Sequence, residues 1–580
     1  MKKGGQRELK PATTSSPVVA GFSPCCPPFF TANCVFSLVL VAVCFANALS
    51  NDFILDDYQI VAVNPAIRTI APAHLLLTPY WGEKSDAGIY RPLTLFSFAL
   101  EYPLWHRWAA GYRLVNLLLH AISGVLVFVL ARGLLQSTPA AWAASALYLV
   151  HPVHTEAVVG LIGRAELLAA MFFLLAWILF RQKRILLCSI AFFFSLLSKE
   201  NAIAFPLVIV LDSWISEGSL RRLLAQWKRF VPICLSMVVY LILRQWALGA
   251  TLVPQAAQYF NGRWTFLERE LTSGRAFLKY FQLLLAPVTV TGDYDFNSIP
   301  LAHARDWDAW AGLLLIVLTI VFALRRRKKQ PAIAFAILFF YIAILPVSNW
   351  IVPTSLVMAE RYLYLPSLGI CLIGATIWAN VSKLQVKRIL AVGVMALAAL
   401  LCIAHNYIWK DNLTFYGNIV RVFPDNVRGR QGYGVALLEA GRPVEARAQF
   451  EAGLRVLRNP QLLVSLAAAR ITLDNNCAQA HPLLDEALRI QPADPFGRWL
   501  SADCFQRAGD LTKAEATFRR AIADTRFPDP RLLFDWGLSL ERLGRSSEAL
   551  DAYRRAAGLD PDNLLLQQSV RRLSSLVSVH

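Results

Sequence analysis

The sequence predicts an all-α protein in two parts: a polytopic membrane bundle of about eleven transmembrane helices, then an α-solenoid. Three observations predict it. The 580 residues are 56% hydrophobic and only 17% charged, with a mean hydropathy of +0.45, too apolar for an ordinary soluble chain. Apolar runs recur through the first 410 residues, separated by short basic loops. Beyond about residue 425 the hydropathy falls and a helical repeat sets in.

Residues 1–28 are basic and rich in Ser, Pro and Thr, and read as a disordered cytoplasmic tail with no clear cleavage site. The run 29–49 is long enough to span and reads as an uncleaved anchor. Ten more runs follow, at 112–131, 139–153, 165–180, 185–198, 201–216, 230–249, 309–324, 331–349, 361–381 and 388–407. Basic clusters mark one side: the tail, Arg132, "RQKR" at 181–184, "RRLLAQWKR" at 221–229, "RRRKK" at 325–329 and "KLQVKR" at 383–388. With the N-terminus in the cytoplasm every cluster lands there, as the positive-inside rule expects. The stretch "RAFLKYFQLLLAPVTV" at 275–290 is apolar, but a crossing there would push "RRRKK" outside, so it reads as interfacial or re-entrant.

An odd number of crossings puts the C-terminal half outside, in a periplasm or secretory lumen. It puts "SNDFILDDYQ" (50–59), "YRPLTLFSF" (90–98), "HPVHTEAVVGLIGRAE" (151–166), "SKEN" (198–201), "TGDYDF" (291–296) and "MAERYLYLP" (358–366) on that same side. Runs 139–153 and 185–198 fall short of the roughly 20 residues a span needs. Their polar ends, His151 and Lys199/Glu200, then lie below the outer surface, which is tolerated only around a wet cavity or in mutual pairs. The expectation is an outward-facing cavity lined by Asp, His, Glu, Arg and Lys.

The net charge of +18 raises nucleic acid as a partner. From Pro424 onward, however, 21 Lys and Arg meet 19 Asp and Glu, so nearly all the excess lies in the short loops of the membrane half, and nucleic-acid binding is set aside. The ten cysteines show no CxxC spacing. Most sit in apolar runs; Cys477 and Cys504 lie in the polar C-terminal part, and whether they pair is left open.

In that C-terminal part "GRPVEARAQFEAGL" (441–454), "GDLTKAEATFRRAI" (509–522) and "GRSSEALDAYRRAA" (544–557) align directly. Ala446, Ala480, Ala514 and Ala549 are spaced 34, 34 and 35 residues apart, and Pro492 and Pro561 close two units. The period and residue types are those of the tetratricopeptide repeat, a helix–turn–helix unit with small residues where its helices touch. Four repeats over 427–563 are expected, the second degenerate with Asn475 at the Gly position, then a capping helix. Such arrays bind extended peptide in a concave groove or serve as docking arms.

Asp56 and Asp57 have three readings: a helix-start cap, a divalent-cation site, or a general base and substrate anchor. The last needs cations on the same side, and Arg91, Arg164, Lys199 and Arg361 supply them; guanidinium groups grip phosphate bidentately. "HPVHTE" is a weak metal motif, since Pro152 breaks the helical spacing of His151 and His154, and hydrogen bonding to phosphate or sugar is the favoured use. Arg164 and Glu166 in "GRAELL", and Lys199 and Glu200 in "SKEN", serve equally well as local structural pairs.

Taken together, the aspartate pair after the first span, "RPL" at 91–93, "HPVHTEAV…GRAELL", "LLSKE" and "ERYLYLPS" resemble the transmembrane and tetratricopeptide repeat-containing O-mannosyltransferases, within the GT-C-fold, lipid-linked-sugar-dependent glycosyltransferases. The resemblance covers 29–563. It implies a glycosyltransferase domain over 29–410, a connector at 411–426 and a repeat domain over 427–580. It implies a polyprenyl- or dolichyl-phosphate mannose donor, a Ser/Thr acceptor on an exported protein, and one of Asp56 and Asp57 as base, with Asp56 favoured. Arg91, His154, Arg164, Glu166, Lys199, Glu200 and Arg361 fall on its outer-face motifs as donor phosphate or sugar ligands. No metal ligand is assigned, and a divalent cation stays an open expectation. There are fewer repeats than animal members carry, and the Ala/Arg/Leu-rich repeats point to a bacterial inner-membrane protein with periplasmic repeats, or lumenal ones in a eukaryotic reticulum. The alternative is a membrane-anchored repeat scaffold without catalysis; a transporter is disfavoured by the absence of internal symmetry between membrane halves.

Overall fold

The structure, a computed structural model, describes residues 27–82, 88–217, 226–249, 264–295, 297–354, 356–474, 477–525, 529–561 and 563–577. Nearly all of the N-terminal tail, and Asn475, lie outside these. The described residues form helices and no β-strand.

Helices of ten residues or more are numbered in chain order. In the membrane half they are α1 (Pro27–Phe45), α2 (Pro92–Trp105), α3 (Ala109–Leu135), α4 (Thr138–Leu149), α5 (Arg164–Arg181), α6 (Ile185–Ser198), α7 (Phe205–Glu217), α8 (Val231–Leu248), α9 (Phe266–Leu285), α10 (Trp307–Arg326), α11 (Pro331–Ile344), α12 (Ser367–Ala379) and α13 (Leu384–Ile408). Then come α14 (Asn412–Val422), α15 (Val427–Glu439), α16 (Pro443–Val456), α17 (Pro460–Asp474), α18 (His481–Ile490), α19 (Pro495–Arg507), α20 (Leu511–Asp524), α21 (Pro530–Arg542), α22 (Ser546–Leu559) and α23 (Leu564–Val577).

Each of the eleven apolar runs coincides with a helix: α1, α3 to α8, and α10 to α13. Six stretches are long and apolar enough to cross a membrane: Phe30–Ser50, Ala109–Leu135, Leu161–Arg181, Trp227–Leu248, Trp307–Arg326 and Leu384–Ile408. Ile185–Ser198, Pro331–Val347 and Ser367–Ala379 are shorter apolar helices. Length and composition therefore assign six crossings by themselves where the runs suggested eleven. For three of the five shorter helices the shortfall has a local cause. Helix α4 ends at 151–163, and α6 ends and α7 begins at 199–204, where the chain breaks into short helical turns that are themselves largely buried. α9 is an amphipathic helix with Glu268, Arg269, Glu270, Arg275 and Lys279 along it; a Thr265/Glu268 capping box starts it, nine residues before the apolar stretch begins.

The bundle's main core draws on α1, α3 to α8 and α11 to α13, while α9 and α10 pack in a second cluster and α2 in a third. Trp177 of α5 stacks on Phe339 of α11 with ring centroids 5.5 Å apart. Leu235 and Val238 on α8, Val317 and Leu318 on α10, and Ile389, Val392 and Leu400 on α13 point outward and stay exposed, as a face solvated by lipid would.

In the C-terminal half, α15/α16, α17/α18, α19/α20 and α21/α22 form four helical hairpins, and α23 follows. Ala446, Ala480, Ala514 and Ala549 are fully buried. The hairpins need small residues because their helices interlock: a Cβ on Gly434 would lie 2.3 Å from the ring of Phe450, and one on Gly537 would lie 2.6 Å from Tyr553. Cys477, ahead of α18, is disulfide-bonded to Cys504 on α19, with Cα atoms 5.6 Å apart, which clips the second hairpin to the third.

A candidate active-site cavity

The segment between α1 and α2 is held from three directions. Arg113 on α3 donates to the carbonyls of Asn51 (2.6 Å), Asp52 (3.0 Å) and Val159 (3.0 Å). The Asp52 amide donates to the Lys410 carbonyl (2.8 Å), and the Leu55 amide to Asn412 Oδ1 (3.2 Å). Leu55 is forced to φ +50°, a conformation that costs a branched L-residue energy and persists only when its surroundings fix it. The two residues presented by this turn are Asp56 and Asp57.

They open into a cavity of about 1050 Å³. Its wall takes residues from the segments after α1 and before α2, from 156–162, 199–207, α8, 292–294, 345–362 and 409–428. These segments therefore lie at one end of the bundle, while Arg132, Arg181 and Arg326 sit near the opposite ends of α3, α5 and α10.

Most of the cavity's charge is paired. Arg91 grips Glu200 with Nε at 3.0 Å and Nη2 at 2.5 Å. Glu156 accepts from the Arg361 amide at 2.7 Å and from its guanidinium. Arg428 pairs with Asp293, and Lys199 with Glu166, which also accepts from Asn201 at 3.0 Å. Burial works against ionised Glu200, but Arg91 and Lys199 outweigh it and hold the carboxyl down to about 2. Glu360, behind the wall, accepts from the Tyr294 hydroxyl (2.5 Å) and the Thr291 amide (2.9 Å); burial, with Glu156 nearby, lifts it to about 7.

Asp56, Asp57 and Arg244 are the cavity-lining charges in no ion pair among the described residues. Asp57 is 1% exposed and accepts from the Ile162 amide at 3.0 Å, while its Oδ2 has no partner; burial lifts it to about 6. Asp56 is half-buried. Burial raises its pKa against the opposing pull of Arg361 and Arg428.

Of the residues singled out in the sequence, Asp56, Asp57, Arg91, Lys199, Glu200 and Arg361 line the cavity together. The other three do not. Glu166 stands one layer back, as the partner of Lys199. His154 is fully buried and bonded to Ser367 Oγ at 2.7 Å. Arg164 is fully buried and committed to Glu101, to Asn116 Oδ1 (2.5 Å) and to the Tyr112 carbonyl (2.7 Å). His151 Nε2 bonds the Leu284 carbonyl at 3.1 Å, and no group of three metal-ligating side chains occurs among the described residues. Sequence reasoning missed Tyr80, Arg244, Asp293, Tyr416 and Arg428. "TGDYDF" was legible as an outer loop, and intramembrane Arg244 was itself a signal of function.

A multispanning helical protein with an ionisable cavity at one end of its bundle and a repeat solenoid beside it is the class these features define. The tetratricopeptide repeat family matches residues 474–529 and 502–563. Among curated relatives, the chain is 28% identical over 436 residues to protein O-mannosyl-transferase F38B6.6 of Caenorhabditis elegans, covering 72% of this chain and 62% of that one. It is 24% identical over 587 residues to protein O-mannosyl-transferase TMTC3 of Mus musculus (90% and 63%), and 28% identical over 492 residues to protein O-mannosyl-transferase TMTC4 of Mus musculus (72% and 66%). The chain thus spans a little under two thirds of the length of these relatives.

Proposed function

We propose that this chain is an integral membrane glycosyltransferase that moves mannose from a polyprenyl- or dolichyl-phosphate donor to Ser or Thr hydroxyls of an exported protein. The names of the relatives supply the sugar and the protein acceptor. The single observation that carries the site is the pairing pattern: the cations flanking Asp56 are already matched to other carboxylates, so this acid keeps its lone pairs for a substrate.

Asp56 is the base. Both aspartates line the cavity, but Asp57 is 1% exposed and spends one carboxylate oxygen on the Ile162 amide, whereas Asp56 is only half-buried and is the one a substrate hydroxyl can reach. Its raised pKa makes it a better proton acceptor than an ordinary carboxylate. Asp56 takes the proton of the acceptor hydroxyl. The oxygen forms its bond to the anomeric carbon as the bond from that carbon to the donor phosphate oxygen breaks. The electron pair leaves with lipid phosphate. One displacement through an oxocarbenium-like transition state inverts the anomeric centre.

The repeats hold the acceptor. Tyr416 of α14 and Arg428 of α15 both line the cavity, so the solenoid begins at the mouth where the hydroxyl must arrive. In this reading cavity and repeats face a periplasm or lumen, and the Cys477–Cys504 disulfide supports an oxidising compartment.

The test incubates purified protein, and Asp56→Asn beside it, with labelled polyprenyl-phosphate mannose and an extract of exported proteins. Label passing to protein with the wild type alone supports transfer and the base. No transfer from this donor or from other lipid-linked sugars overturns the proposal.

A further inference from the structure

One cation in the cavity has found no carboxylate. Arg244 lies on α8, inside the membrane-crossing stretch Trp227–Leu248, and is 9% exposed. Its guanidinium donates to the Gly88 carbonyl at 2.9 Å, and no acid among the described residues forms an ion pair with it. A buried guanidinium facing only neutral groups leaves a full charge uncompensated, an arrangement that costs energy unless an anion completes it. One helical turn earlier, Tyr240 is 2% exposed and lines the same cavity; its hydroxyl lies beside the Arg244 guanidinium and donates to no acceptor among the described residues. The two side chains therefore present unused donors to one space.

The rim beside them is apolar. Leu241 of α8, Leu207 of α7 and Ile203 just before it line the cavity while remaining 37%, 49% and 41% exposed, and Ile351 and Val352 line it at 65% and 46%. Leu241 lies on α8, whose outer face carries exposed Leu235 and Val238. An anion seated at Arg244 would thus have a hydrocarbon surface running from it toward the bilayer. By contrast Arg91 and Lys199, the cations nearest to hand in the sequence, are already neutralised by Glu200 and Glu166.

We infer that Arg244, with the Tyr240 hydroxyl, holds the phosphate of a polyisoprenoid lipid whose tail leaves across Leu207, Leu241 and Ile351. This rests on the donor reading above and assigns the phosphate grip to α8 instead of to Arg91 and Lys199. In transfer, the guanidinium would receive the charge that develops on the leaving phosphate.

The experiment measures equilibrium binding of polyprenyl phosphate to the full chain in nanodiscs, with polyprenol, inorganic phosphate and phosphatidic acid as separate competitors. Wild type is expected to bind polyprenyl phosphate and to be displaced poorly by all three. Arg244→Gln should weaken binding about tenfold or more, the size of a lost charge-assisted contact. Arg244→Lys, which keeps the charge, should weaken it less, and Tyr240→Phe only a few-fold. These conservative variants keep the inference testable if Arg244→Gln fails to fold. Wild-type binding left within twofold by Arg244→Gln and Arg244→Lys overturns the assignment while sparing the donor reading. Equal displacement by phosphatidic acid or inorganic phosphate overturns its lipid specificity. No binding of polyprenyl phosphate to the wild type removes the donor reading and this inference with it.

Discussion

Arg107, in the turn between α2 and α3, donates to Asp560, at the end of the last repeat hairpin, at 3.2 Å across 453 positions of sequence. Next to it Arg68 donates to the Leu559 carbonyl at 3.4 Å. The first hairpin is tied down as well, by Arg428 to Asp293 and by the Asn426 side chain to Ser298 Oγ at 3.0 Å. The solenoid is therefore anchored at both ends over the face that carries Asp56. Arg107 is 47% exposed, so the far anchor contributes little to stability, on the order of 0–1 kcal/mol, and acts on geometry. Spin labels at the exposed positions Leu104 and Leu565 should give one narrow distance distribution in the wild type and a broad one in Asp560→Arg, with the melting midpoint unchanged. Equally broad distributions in both proteins would mean that the far end is not held.

The proposed role of Asp56 as base predicts a pH profile. Asp56 must be ionised to accept a proton, and burial places its pKa above the ordinary carboxylate value. Below that pKa kcat/KM should fall tenfold per unit as pH falls, with the limb displaced upward from the roughly 3.9 of a free aspartate. Asp56→Asn should lower the rate by about 10²- to 10⁴-fold and abolish this limb. A variant that keeps both rate and limb would place the base elsewhere.

How much of this was legible beforehand follows from which signals are local. Apolar runs and a 34-residue period are written into neighbouring residues, so helices and hairpins could be read directly, and Asp56, Asp57, Lys199, Glu200 and Arg361 announce themselves by standing next to apolar runs. What a chain does not show is which charge has found a partner. Arg164 and Arg244 look alike in sequence, yet Arg164 meets Glu101 from α2 and Arg244 meets no acid among the described residues. Arg428 was invisible as a wall residue because it reaches the cavity only through the long-range contact with Asp293. α2 itself escaped notice because Arg91 and Glu101, both charged, bracket an apolar stretch too short to stand out.

Asp57 should be a residue that costs stability. Its folded pKa, about 6 against the ordinary 3.8 of an aspartate, is raised, so the folded state binds the proton more tightly than the unfolded one. Stability is then highest below the unfolded value and declines as pH rises through about 6. Above that, the penalty levels off at about 3 kcal/mol, since each pKa unit is worth about 1.4 kcal/mol. Asp57→Asn keeps an acceptor for the Ile162 amide and removes the buried charge. It should raise the melting midpoint at pH 7.5 and leave it nearly unchanged at pH 4. Equal midpoints at both pH values would mean the carboxylate is better solvated than its burial implies.

The Cys477–Cys504 bond closes a loop across a sequence separation of 27 residues, joining the second hairpin to the third. On the chain-entropy account such a loop stabilises by about 3.5 kcal/mol, which acts on the solenoid and not on the membrane bundle. Cys477→Ser with Cys504→Ser should therefore lower the unfolding transition of the repeats while leaving that of the helix bundle in place, followed by differential scanning calorimetry in detergent. With the repeats holding the acceptor and Asp56 acting as base, as proposed above, acceptor KM should rise and kcat change little. A fall in kcat at unchanged KM would instead tie the clip to the arrangement of the cavity, through the contacts that seat α15 against Asp293.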